Sequence, residues 1–177
     1  MALKIDRATN KLVGHDNFAQ VEPNHLSAPR DGGVYGQLPA DDSIEILEQG
    51  TFVKYDYAAG KVNFSGEGPW MMVFNEEKLY DERKQMHRDY AMQKGEFYDG
   101  VMVPRVFRMA AGDIFTTNAV KTDTYTVGDK VAPGANGILE KEAATAAETA
   151  KALVLQVVKE TTMPDGQPAV KLQVIHE

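Results

Sequence analysis

The residues that could do chemistry are few and scattered. Four histidines occur, at His15, His25, His87 and His176. None forms a HExxH or HxH pair, the spacings that put two imidazoles on one metal. The chain contains no cysteine, so thiolate zinc sites, disulfides and cysteine nucleophiles are excluded. Acidic neighbours occur at Asp41-Asp42, Glu76-Glu77 and Asp81-Glu82. Adjacent carboxylates point to opposite faces of a strand, or about 100° apart on a helix. Glycosidic cleavage needs two that face each other across a cleft. Asp31-Gly32-Gly33 is not followed by the Lys-Ser/Thr of a phosphate loop, and the glycines of 134–137 join two strands without opening a helix. No Gly-x-Ser-x-Gly elbow occurs. The residues therefore assign no catalytic group, no metal ligand and no cofactor.

What remains is surface chemistry. The chain has one tryptophan, Trp70, seven phenylalanines and seven tyrosines. Tyr35, Tyr55, Tyr57, Tyr80, Tyr90 and Tyr98 could form a ligand or interface surface, because a tyrosine serves where one end is wet. Core and half-buried strand positions account for most of them. Arg83, Lys84, His87 and Arg88 form a basic cluster interleaved with Asp81, Glu82 and Asp89, which reads as a solvated face.

The elements that must position these groups read mainly as β. Short apolar runs at 44–48, 51–57, 61–64, 69–74, 101–103, 106–109, 114–120, 125–127, 130–131, 138–140, 152–158 and 169–175 predict strands. Glycine turns separate many of them, with Gly60 expected at positive φ in a hairpin. Residues 152–158 are nearly continuously apolar, as in a central strand. Residues 75–94 lack glycine and proline and predict a short helical insertion, with Asn75 as a possible cap. Residues 143–151 fit a helix or a loop equally. The fold class expected is mainly β: a small β-barrel or sandwich, with Phe52, Val53, Trp70, Val73, Phe74, Ile114, Leu153, Leu155, Val157, Leu172 and Val174 supplying most of its core.

Residues 1–42 differ from the rest. The stretch 18–42 holds four prolines, Pro23, Pro29 and Pro39 among the three nearest its turns, if Pro is counted with its neighbours, and shows no sustained period.

 That count needs correcting: the stretch holds three prolines, Pro23, Pro29 and Pro39, beside three glycines, Gly32, Gly33 and Gly36. Each proline holds its preceding residue extended. The reading is an extended N-terminal arm over 1–42, anchored on neighbouring chains, and a β-rich domain over 43–177.

At 177 residues and 43% hydrophobic, the chain is one ordinary domain with a real core. Its net charge is −7, from 26 acidic and 19 basic residues, which argues against nucleic acid as the main partner. No run reaches the roughly 18 apolar residues of a membrane span. The start MALKIDRATNK lacks the apolar stretch of a signal peptide, so a cytosolic origin is the expectation.

The stretch VGDKVAPGANGILEKE, followed by AKALVLQVVKETTMPDGQPAVKLQVI, resembles the closing module of tailed-bacteriophage head decoration, or cement, proteins. EQGTFVKYDYAAGKVNF resembles their opening hairpin. FNEEKLYDERKQMHRDYAM and GDIFTTNAV are similar to phage structural proteins of the same group. The likeness covers most of 43–177 and is carried by turn patterns. It implies a non-enzymatic virion protein on the capsid exterior, made in the host cytoplasm. Its partners would be the major capsid protein and neighbouring copies of itself, with no nucleic acid and no membrane. The partner-binding residues expected are Pro23, Pro29, Tyr35 and Pro39 on the arm, and Arg83, Lys84 and Arg88 on the insertion. The alternatives are a head-fibre, tail or adhesin component, or a small β-barrel hydrolase.

Overall fold

In the computed structural model, the described residues are 2–6, 18–75, 91–150 and 152–177. They form a mainly β, sandwich-like fold. A six-stranded antiparallel sheet is built from Val21–His25 (β2), Ile114–Thr117 (β10), Lys130–Pro133 (β12), Leu139–Glu140 (β13), Val154–Thr162 (β14) and Pro168–His176 (β15). Its order is β13-β12-β14-β15-β10-β2. A five-stranded sheet holds Val34–Tyr35 (β3), Phe52–Asp56 (β5), Lys61–Asn63 (β6), Met71–Val73 (β7) and Val106–Arg108 (β9), in the order β3-β9-β7-β5-β6. Two smaller pairs join Leu3–Ile5 (β1) to Asp123–Tyr125 (β11), and Ile46–Glu48 (β4) to Ala91–Gln93 (β8).

The period-2 rule of strands sorts side chains into two cores. On β15, Val170, Leu172 and Val174 turn inward and Ile175 is exposed. On β7, Met72 faces the six-stranded sheet, while Met71 and Val73 face the other way into a second cluster. On β5, Phe52 joins the first cluster, and Val53 and Tyr55 join the second. The five-stranded sheet is thus buried on both faces, with β4 and β8 supplying Leu47 and Met92 to its far side.

That sheet also curls. Val62 donates to Pro39 O at 2.8 Å, Asp41 donates to Val62 O at 2.8 Å, and Ala40 donates to Met102 O at 2.7 Å. These bonds lead from β6 through residues 39–41 to the segment that becomes β9. They are isolated bonds, not a ladder, so the sheet wraps its core without becoming a regular closed barrel.

Most expected strands appear within a residue or two, and Gly60 has φ 67°. Of the expected core, Trp70, Phe74 and Ile114 are half-buried and the other eight residues are buried. Residues 101–103 form no strand, and 142–149 form a helix, Glu142–Thr149 (α2). The insertion expected at 75–94 lies mostly outside the described residues. Its end is not helical: 91–93 is strand β8, because pairing Met92 with Leu47 buries both and overrides helix propensity.

The described parts of 1–42 depart further from the expectation. They belong to the body of this chain. β1, β2 and β3 pair with β11, β10 and β9, and Ile5, Ala19 and Ala28 are buried. The prolines fit this role. Pro23 lies on an edge strand, and Pro29 lies in the first turn of the short helix Ala28–Asp31 (α1), positions where a missing N–H costs little. Edge strands need no apolar period, so composition alone does not separate them from a loose arm.

Candidate partner-binding surface

The segment from Phe18 to Asp41 crosses from one sheet to the other. It forms the edge β2, turns through α1, and forms the edge β3. Two polar clusters fix its course. The buried Asp113 carboxylate accepts the Ser27 N–H at 2.8 Å, the Ser27 hydroxyl at 3.1 Å and the Ala110 N–H at 2.9 Å. The buried Asn118 accepts the Gln20 N–H at 2.7 Å and donates to Gln167 at 3.3 Å. Gln20 and Gln167 each donate to Asp165 Oδ2 at 2.7 Å. Buried polar groups satisfied in this way hold one geometry, since losing any partner strands another.

The strap delivers Tyr35 to an aromatic row. The Tyr35 and Tyr55 rings meet edge to face at 5.8 Å, and Tyr55 and Tyr57 do so at 5.6 Å. Tyr55 is buried, and its phenol oxygen accepts the Gln37 N–H at 3.2 Å. Burial raises its pKa above the ordinary 10.0. Tyr57 ends the row with 68% of its surface exposed. An exposed ring standing on two restrained ones is a pre-ordered contact, because little side-chain freedom is left to lose on binding. Elsewhere on the same unit, Val101 and Val103 are exposed on either side of the buried Met102, and Tyr98 is fully exposed.

The structure places the expected partner-binding residues apart. Pro23 and Pro29 are exposed on the β2–α1 side, whereas Tyr35 and Pro39 are half-buried along the curled sheet. Arg83, Lys84 and Arg88 lie outside the described residues. Tyr57 is the exposed member of the row, and alternation with Tyr55 was the signal that could have found it.

A second concentration of charge surrounds Tyr125. Lys121 lies 3.2 Å from Glu140 and 3.4 Å from Glu142. Lys141 lies 3.2 Å from Asp123 and 3.6 Å from Asp129, with its ammonium 5.3 Å from the Tyr125 ring centre. Tyr125 donates to Lys121 O at 2.6 Å. Burial, followed by the neighbouring carboxylates, pushes its phenol well above the usual range. The cluster ties β11 to the start of α2 and is internally paired.

Two shallow grooves flank the 134–138 turn. One, of about 380 Å³, runs past Val120, Lys121 and Glu140. The other, of about 370 Å³, runs along β4. Among the described residues, no group of three or more His, Asp or Glu is placed to hold a metal, and no helix is long and apolar enough to cross a membrane.

Comparison with protein-family models, with curated proteins and with solved structures finds no match to this chain.

Proposed function

We propose that this protein is a structural binding module of a virion, seated on the outer surface of a capsid and bridging its subunits. The observation that carries the reading is the Tyr35–Tyr55–Tyr57 row, which ends in an exposed ring on a sheet buried on both faces. Such an anchor suits recognition of a protein surface, where tyrosines contribute disproportionately. The sequence resemblance to head decoration proteins supplies the class of partner: the major shell protein, and neighbouring copies on the lattice. The role is non-enzymatic. Each copy adds contact area, and many copies on one lattice act together through effective concentration.

The test is reconstitution. Purified protein is added to shells that lack it, and bound copies are counted against shell subunits. Saturation at a fixed ratio across the lattice, with greater resistance of the shell to heat, is the expected outcome. Binding at one vertex or at the tail alone would favour a fibre or tail component. No binding would overturn the reading.

A further inference from the structure

The groove along β4 has the form of a receptor for an extended strand. β4 has a ladder partner, β8, on one side only. Lys94 donates to Glu45 O at 2.9 Å, directly opposite in the register that pairs Ile46 with Gln93. Bonding alternates along an antiparallel ladder. The Ile46–Gln93 pair is therefore a non-bonded one, and the Ile46 N–H and C=O point to the open edge.

The groove follows that edge. Its lining takes consecutive residues 43 to 46, from both sides of the pleat, and none of β8. A depression over one sheet face would touch alternate residues only. Its apolar wall comes from Phe18, Ile44, Phe64 and Ile138, with Ile46 itself 48% exposed. Glu45 stands on the rim with its side chain 73% exposed, and its Lys94 neighbour is 3.8 Å away. An incoming strand would find main-chain partners, apolar pockets for alternate side chains and an acidic rim.

We infer that β4 is a docking edge for an extended segment of a partner protein, apolar at alternate positions and carrying lysine or arginine. The segment adds as a strand at Ile46, its main chain giving affinity and its side chains giving selectivity. That the segment belongs to the shell protein rests on the function proposed above; the groove itself does not.

The experiment uses a short, capped, fluorescent peptide alternating valine and lysine, titrated into the full chain. A second peptide carries glutamate in place of lysine, and a third is N-methylated on alternate backbone nitrogens. The first should bind, and each of the others should bind about tenfold more weakly or worse. Ile46→Pro, which removes the outward N–H, should weaken the first peptide to the same degree. Equal binding of the N-methylated peptide overturns strand addition even if the proline variant misfolds. Concentration-dependent pairing of the free chain that the first peptide disrupts would make a second copy the occupant, and overturn the partner assigned here. On shells, full binding by folded Ile46→Pro defeats the inference and leaves the proposed function standing. Peptide binding without any shell binding does the reverse.

Discussion

The Phe52 N–H donates to Gly137 O at 2.7 Å, and a side-chain carbon on Gly137 would fall on the Phe52 carbonyl oxygen. This contact joins the β12–β13 turn of one sheet to the first residue of β5 in the other. Gly137 has φ 72°, and so does Gly32, which ends α1 in open space. Gly32→Ala should cost about 1–2 kcal/mol, the ordinary penalty for a left-handed residue. Gly137→Ala should cost at least about 1 kcal/mol more, because the turn must also move. Urea denaturation of the two variants measures the difference. Equal losses would mean that the two sheets do not depend on this contact.

Leu155 is fully buried in the first core, on β14 opposite Val131 and Val174. Leu155→Ala should cost roughly 2–5 kcal/mol, as removal of a buried isobutyl group does. An effect within about 0.5 kcal/mol, typical of exposed sites, would displace this strand from the centre of the sheet.

Asp113→Ala should destabilise the protein by about 2–3 kcal/mol, because it leaves the donors of Ser27 and Ala110 without their acceptor. Deleting residues 2–33 should abolish the cooperative transition, since that removes β1, β2 and α1 together. A truncated chain that still melts sharply would restore the loose-arm reading.

Tyr125 supplies a test in alkali. Its phenol titrates above its ordinary value of 10.0 in the folded protein. The folded state thus favours the neutral form. Its contribution is complete below pH 10 and is lost as the pH rises toward the folded value. Stability should fall from about pH 10 upward, and Tyr125→Phe should flatten that fall while costing about 1 kcal/mol at neutral pH for the bond to Lys121 O. Equal alkaline slopes in denaturant titrations of the two proteins would exclude Tyr125 as the source.

Tyr57→Ala should leave stability within about 0.5 kcal/mol, since the ring is largely exposed. It should weaken shell binding at least about tenfold if Tyr57 is an interface anchor. Unchanged shell binding would move the interface elsewhere on the surface.

The β class and the strand positions were legible because they follow from local chemistry. β-branched runs, the Ala58–Gly60 turn and the alternation of Val170, Leu172 and Val174 are all readable along the chain. What was not legible depends on distant partners. Met92 looks helical until Leu47 is beside it, and Pro23 looks like loop until β10 is beside it. Tyr57 carries no mark in sequence to separate it from Tyr55. Only the stacking of Tyr35 against Tyr55, brought about by the strap, distinguishes the exposed end of the row.

The pairing of early strands with late ones sets a schedule for synthesis. β3 waits for β9, β2 for β10 and β1 for β11, so the first strand made is the last of these to find its partner. At about 5–20 residues per second on the ribosome, the start of the chain spends many seconds outside the tunnel before Tyr125 emerges. The central strand β15 comes later still. The nascent chain therefore carries its apolar N-terminal residues unprotected for most of translation. Chaperone demand, more than final stability, should limit how much folded protein a cell accumulates.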